Sequence, residues 1–244
     1  PPVFGAIAGA PLATRHFEQY TNFGKTGAFE IFADGTYAIT EKLKLTAGLR
    51  GTYEKLTAGF DVPAGSKPSP LGGLLGNFPN ILFRATGGKM EVSEDYWSWV
   101  GRLALNYQFA NQNLYASVSR GRRPGVINIS KIDTILLKPE IVWSYEVGIK
   151  GLLANKKLQY DLAAYYYDWD NFQTNVANIN NPRLIEVSDA GRARSFGIET
   201  GIRYAPSSKV SFFTTYGFID AAFKDKDEDG RPQQLAGNTF RLTP

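Results

Sequence analysis

A period of two that persists well beyond the length of an ordinary strand is the strongest constraint on what this chain can fold into. Residues 93–108 put Trp97, Trp99, Leu103, Leu105 and Tyr107 at odd positions, and Ser98, Arg102, Asn106 and Gln108 at even ones. Successive side chains of a strand point to opposite faces, so this run predicts a strand with one apolar, aromatic face and one polar face. The pattern returns at 43–58, where Leu43, Leu45, Ala47 and Leu49 oppose Lys44, Thr46, Gly48 and Arg50. At 142–153, Trp143, Tyr145, Val147 and Ile149 oppose Ser144, Glu146, Gly148 and Lys150. At 193–205, Phe196, Ile198, Ile202 and Tyr204 oppose Ser195, Gly197, Glu199 and Arg203.

With 26–38, 113–121, 158–170 and 210–222, these runs predict eight strands, several of about 12 to 16 residues against the five or six usual in soluble sheets. The connections alternate in length. Tight turns at "ITEK", "ANQN", "ANKK" and "PSSK" join the first strand to the second, the third to the fourth, the fifth to the sixth and the seventh to the eighth. The other links are long, polar and rich in Gly and Pro, such as "NVANINNPRLIEVSDAG". A meander of this kind puts all short links at one end and all long ones at the other, the habit of outer-membrane barrels. Trp97, Trp99, Trp143 and Trp169 all fall toward the long-link end, with Tyr107 and Phe109 near the other, as two interfacial girdles require. Alternation alone is shared by a soluble sandwich, so a soluble all-β domain stays the competing fold at this point.

Composition narrows the function classes. No window approaches the roughly 18 consecutive apolar residues of a membrane helix, whereas a membrane strand needs only about ten alternating ones. Cysteine is absent and histidine occurs once, as His16. Thiol chemistry, Cys/His zinc sites and disulfides are therefore excluded. No catalytic constellation can be assembled around His16, so the chain reads as a non-enzyme. Its 27 basic and 23 acidic residues are interspersed, which gives nucleic-acid binding little support. The opening "PPVFGAIAGAPLATRHF" has neither an initiating Met nor a targeting segment, so an excerpt or a processed chain is expected.

The runs "NLYASVSRGRRPGVIN", "LKPEIVWSYEVGIKG", "LAAYYYDWDNFQ", "ARSFGIETGIRY" and "FIDAAF", preceded by "FADGTYAITEKLKLTAGLRGTYEK", together resemble the barrel of a TonB-dependent outer-membrane receptor. The likeness spans about residues 26 to 240 in order, and only Arg122 in "SRGRRPG" departs from the pattern. It implies an antiparallel up-and-down transmembrane barrel of about 22 strands, of which residues 1–244 supply about eight. The plug domain and the C-terminal strands are expected to lie outside this chain. It further implies residence in the outer membrane of a Gram-negative bacterium, among its lipid and lipopolysaccharide. The partners would be the TonB complex, reached through the plug, and a small-molecule ligand: a ferric siderophore first, or cobalamin, haem or an oligosaccharide. No cofactor is implied. A barrel or adhesin that binds a surface partner through its long loops, without transport, is the alternative.

Candidate sites follow from the two faces. Glu30, Asp34, Lys44, Arg50, Arg102, Glu146, Lys150, Asp161, Glu199 and Arg203 fall on the polar face, where cross-strand ladders are their first reading and a ligand path the second. Arg120, Arg122, Arg123, Tyr167 and Trp169 stand at or near the long-link ends and are the candidate ligand-path residues, arginine being suited to anionic chelates. "DKDEDG" places Asp225, Asp227, Asp229 and Gly230 at the first positions of a calcium loop, but the expected final Glu is Ala236. A solvated loop is the first reading there and a calcium site the alternative. In "LAAYYYDWDNF", alternation sends Tyr166 to the apolar face and Tyr165, Tyr167 and Trp169 to the polar one.

Overall fold

The computed structural model describes residues 17–65, 80, 85–129, 134–177, 185–226 and 230–240, and every regular element among them is a strand. In chain order these are β1 (Thr21–Ala38), β2 (Leu43–Asp61), β3 (Met90–Phe109), β4 (Gln112–Arg123), β5 (Val126–Ile129), β6 (Thr134–Leu137), β7 (Glu140–Leu153), β8 (Leu158–Asp170), β9 (Gln173–Ala177), β10 (Ile185–Asp189), β11 (Ala193–Ser207) and β12 (Val210–Phe223). The eight long strands form one sheet in the order β1-β2-β3-β4-β7-β8-β11-β12. That is an up-and-down meander, and among the described residues β1 and β12 do not pair with each other, so the wall is open here.

The eight expected strands are all present, and β1 to β3 run further than the sequence pattern indicates. Because β3 begins at Met90, Trp97 and Trp99 lie inside the strand instead of opening it. The long links are less irregular than their composition suggests. Two of them contain short hairpins, β5 with β6 and β9 with β10, built from "VINI", "TILL", "QTNVA" and "IEVSD". Runs of four or five residues carry too few alternations to register as strands beside Asn, Pro and Gly. The last described stretch makes an isolated bridge from Thr239 to Ala222.

By internal contacts the chain groups into two units. The larger comprises Glu30–Thr52, Trp97–Gly125 and Leu137–Pro244, and within it the pairing is antiparallel throughout β3-β4-β7-β8-β11-β12. Two tight turns are made by residues in the left-handed region: Ala110 at φ 49° closes β3 to β4, and Ala154, Asn155 and Lys156 at 50°, 54° and 67° close β7 to β8. The smaller unit comprises Pro1–Phe29, Tyr53–Tyr96 and Val126–Leu136. There Thr86 receives the N–H of Val62 at 3.0 Å and donates to Asp61 at 3.1 Å, while Asn80 donates to the Pro63 carbonyl at 2.9 Å.

Register turns alternation into rows across the larger unit. Leu103, Val118, Tyr145, Tyr166 and Phe196 stand side by side on the apolar face. Leu105, Ala116, Val147, Ala164 and Ile198 form the next row, and Tyr107, Leu114, Ile149 and Leu162 the one below. Most of their large side chains are exposed: Val147 keeps 51% of its surface and Leu162 45%. A contiguous apolar face of this extent is not stable against water. From Trp99 to Phe109 β3 runs about 34 Å at about 3.4 Å per residue, which at the roughly 40° tilt of barrel strands gives a height on the scale of the roughly 25 Å apolar band of a membrane barrel. Trp99 and Trp143, edge to face at 5.9 Å, border the band at the long-link end, and Tyr107 stacked on Phe109 at 5.8 Å borders it at the other.

Candidate functional site

The opposite face of the same strands is polar and holds its charges by cross-strand bonds. Arg102 donates from Nε and from a terminal nitrogen to the two carboxylate oxygens of Asp34, both at 2.9 Å. The pair crosses over Gly48, where any side chain would collide with it. Arg50 meets Glu30 at 3.4 Å, and Thr52 donates to the same carboxylate at 3.1 Å. These ladders answer to the first reading of the polar-face ions. Each pair is about half exposed, so its contribution is on the order of 0–1 kcal/mol, and it serves register more than stability.

Two tyrosines on this face lie across glycines of the neighbouring strand. Tyr115 covers its partner Gly148 and donates its hydroxyl to Glu146 at 2.7 Å, and Tyr165 covers Gly197. A bare glycine gives the ring a flat seat that no other residue leaves. Gly148→Ala is accordingly expected to destabilise the folded protein by roughly 1–3 kcal/mol, the cost of overpacking. The temperature at which the folded protein loses its compact migration on a gel reads this. Combining it with Tyr115→Ser is expected to recover part of the loss, because the two substitutions share one contact.

From Tyr165 an aromatic ladder climbs toward the long-link end. Tyr165 stacks on Tyr167 at 5.0 Å, Tyr167 meets Trp169 edge-on at 5.5 Å, and Trp169 meets Phe172 at 5.9 Å and Phe240 at 5.7 Å. The ladder ends in a small core of Ala190, Ala193 and Phe223, against which Trp169, Phe172, Leu235 and Phe240 pack. A cavity of about 460 Å³ lies beside it, lined by Phe172, Asn175, Phe223, Leu235, Asn238 and Phe240 among others. The expected division of "LAAYYYDWDNF" is what the register shows, with Tyr166 on the apolar face 6.4 Å from Tyr145.

The five candidate ligand-path residues do not come together. Tyr167 and Trp169 stand on the polar face, and Arg123 joins them at the rim, 3.7 Å from Glu140 and donating to the Gln173 carbonyl at 3.1 Å. Arg120 is in register with Gly101 and Trp143, which places it, and Arg122 two residues on, on the apolar side of the strand. Arg120 donates to the Trp99 carbonyl and lies 4.3 Å from the centre of the Trp99 ring. Composition could not assign "RGRR" to faces, because it lies at a loop base where alternation and turn are indistinguishable.

Gln173 was invisible in the sequence, one amide in an Asn-rich segment. It is 4% exposed, and its side chain donates to the carbonyls of Pro124 and Lys138 at 3.0 Å each. Its N–H donates to Glu140 at 2.9 Å. It therefore ties the bases of two long links together. His16, Asp227 and Asp229 lie outside the described residues. Among the described residues no cluster of carboxylates or histidine suits a metal ion.

A long-stranded antiparallel sheet with an exposed apolar belt, aromatic borders and a polar opposite face is the wall of an outer-membrane-type β-barrel. The sequence matches the family described as TonB dependent receptor-like, beta-barrel, over residues 2–244. The chain belongs to that family, one of transport receptors of the Gram-negative outer membrane. Its fold is similar to that of the ferric yersiniabactin uptake receptor FyuA from Yersinia pestis, at 17% identity and a TM-score of 0.66, over 87% of this chain and 29% of that one. It is also similar to the siderophore receptor PiuA from Acinetobacter baumannii, at 16% identity and a TM-score of 0.59, over 88% of this chain and 29% of that one. The ferric-catecholate import receptor Fiu from K12 E. coli matches at 20% identity with a TM-score of 0.56, over 87% and 30%. The chain thus spans under a third of the length of these structures.

Proposed function

We propose that this chain is a stretch of barrel wall in a longer outer-membrane receptor, which takes up a scarce ligand with energy passed on by TonB through a plug domain. A ferric siderophore is the first ligand class, with cobalamin, haem and oligosaccharides behind it. The observation that carries this reading is the ladder Tyr165, Tyr167 and Trp169, which ascends the polar face to a rim where Arg123 stands. Ring faces suit planar ligand groups, and a guanidinium suits the anionic charge of many ferric chelates. Siderophore receptors among the similar structures point the same way. On this reading the polar face lines the lumen, the apolar face meets outer-membrane lipid, and Arg123, Tyr167 and Trp169 belong to the ligand path.

Deleting the whole gene is expected to abolish uptake of one radiolabelled ferric chelate from a panel, and disabling TonB is expected to abolish it equally. Undiminished uptake of every chelate, together with undiminished uptake of cobalamin, haem and oligosaccharides, would falsify the proposal.

A further inference from the structure

The polar face gathers unpaired cations toward its short turns. The register sets Gln108, Asn113, Lys150, Asp161 and Gly201 in one row across β3, β4, β7, β8 and β11, and Gln159 beside Arg203 one row nearer the turns. Glu199 and Glu146 lie one and two rows the other way. Toward the long links, Arg50, Arg102 and Arg123 each have a carboxylate partner. At the short-turn end, Lys150, Arg203, Lys156, Lys157 and Lys209 are exposed, and none has an ion pair among the described residues.

A cavity of about 550 Å³ opens among these groups, lined by Gln108, Asn113, Lys150, Lys156, Gln159 and Asp161 among others. Its size is that of a small-ligand site. Two local features hold it in shape. Leu152 donates its N–H to the Asn111 carbonyl at 3.0 Å, which ties the turn between β3 and β4 to β7. The left-handed turn at Ala154, Asn155 and Lys156 carries Lys156 to the cavity edge. Lys150 lies 6.0 Å from the centre of the Tyr115 ring, a neutral neighbour that leaves its charge uncancelled.

A cleft lined by one sign of charge concentrates ligands of the other sign. Ammonium groups and side-chain amides both donate to anionic oxygens, and the amides do so without adding charge. We propose that Lys150 and Lys156, with Gln108, Asn113 and Gln159, form an exit-side site for a ferric chelate of net negative charge, which holds it as it leaves the lumen. This rests on the reading above, with the short turns on the periplasmic side. It narrows the ligand to an anion. It also makes the site separate from the entrance: Asn113 and Arg123 stand near opposite ends of β4, about 34 Å apart at about 3.4 Å per residue, too far for one chelate to touch both.

The test uses the full-length protein in neutral detergent, where both ends of the wall meet solution. Acylation of individual lysines by an N-hydroxysuccinimide ester is followed by mass spectrometry, with anionic ferric citrate or an uncharged ferric tris-hydroxamate present. Ferric citrate is expected to slow acylation of Lys150 and Lys156 and to leave Lys55 unchanged, whereas the uncharged chelate is expected to protect none of them. Asp161→Asn removes the carboxylate opposite Lys150 and is expected to strengthen the protection a few-fold, a gain that a misfolded variant would not show. In cells, Lys150→Gln with Lys156→Gln is expected to lower the maximal uptake rate of the chelate found with the radiolabelled panel by about three- to tenfold, with its half-saturating concentration unchanged. Equal protection by the uncharged chelate, no protection by ferric citrate, an uncharged transported chelate, or an undiminished maximal rate overturns the proposal. If the parent protein takes up no member of the panel, the transport reading itself fails and the exit site with it; uptake that the double variant leaves untouched sinks only the exit site.

Discussion

Val147→Arg is expected to strip most of the folded protein from the outer membrane, while Ser117→Arg is expected to leave it assembled. Val147 stands in a row with Leu105, Ala116 and Ala164 on the apolar face, midway between the Trp99 and Phe109 borders, and is 51% exposed to whatever surrounds the wall. An arginine at the bilayer midplane costs about 2–4 kcal/mol, a large part of the margin of a folded protein. Ser117 faces the other way, opposite Glu146, so an arginine there stays on the polar face and gains a carboxylate neighbour. Outer-membrane abundance and heat-modifiable migration of the full-length protein measure both. Equal loss for the two substitutions would contradict the assignment of faces.

Gln173→Leu is expected to have the second largest effect, confined to the rim. Leucine has similar bulk but leaves the Pro124 and Lys138 carbonyls without their donor in a buried place. Each orphaned group costs about 1–3 kcal/mol. A local loss near 2 kcal/mol corresponds to ~30-fold faster opening of these link bases. Hydrogen exchange of the peptides around 120–129 and 170–177 reads it directly. Exchange rates equal to those of the parent protein would show that Gln173 does not clamp the rim. The belt should be untouched, because the backbone ladder from Leu103 downward does not involve Gln173.

Where a single physical rule governs many residues at once, the sequence was a sufficient guide. The alternation through Trp143, Tyr145, Val147 and Ile149 had one consistent reading, and a slip of one residue would have turned every one of those side chains to the other face. The same rule placed Tyr166 apart from Tyr165, Tyr167 and Trp169. It did not reach the hairpins inside the long links, since β5 and β6 offer only four residues each. Nor did it reach Gln173, whose partners Pro124 and Lys138 are remote in sequence and whose importance depends on burial that only folding creates.

The sequence by itself determined the strand count of this stretch, the two faces, the side on which the long links lie and the family. These depend on local periodicity and on order along the chain, which survive without coordinates. Only the tertiary structure decided that Arg120 turns toward the Trp99 ring on the apolar side while Arg123 turns to the polar face. It alone showed that Tyr115 and Tyr165 are seated on Gly148 and Gly197, and that Gln173 holds two links together. The reason is that cross-strand register fixes which residues meet. Register is a property of pairs of strands, and no single strand's pattern contains it.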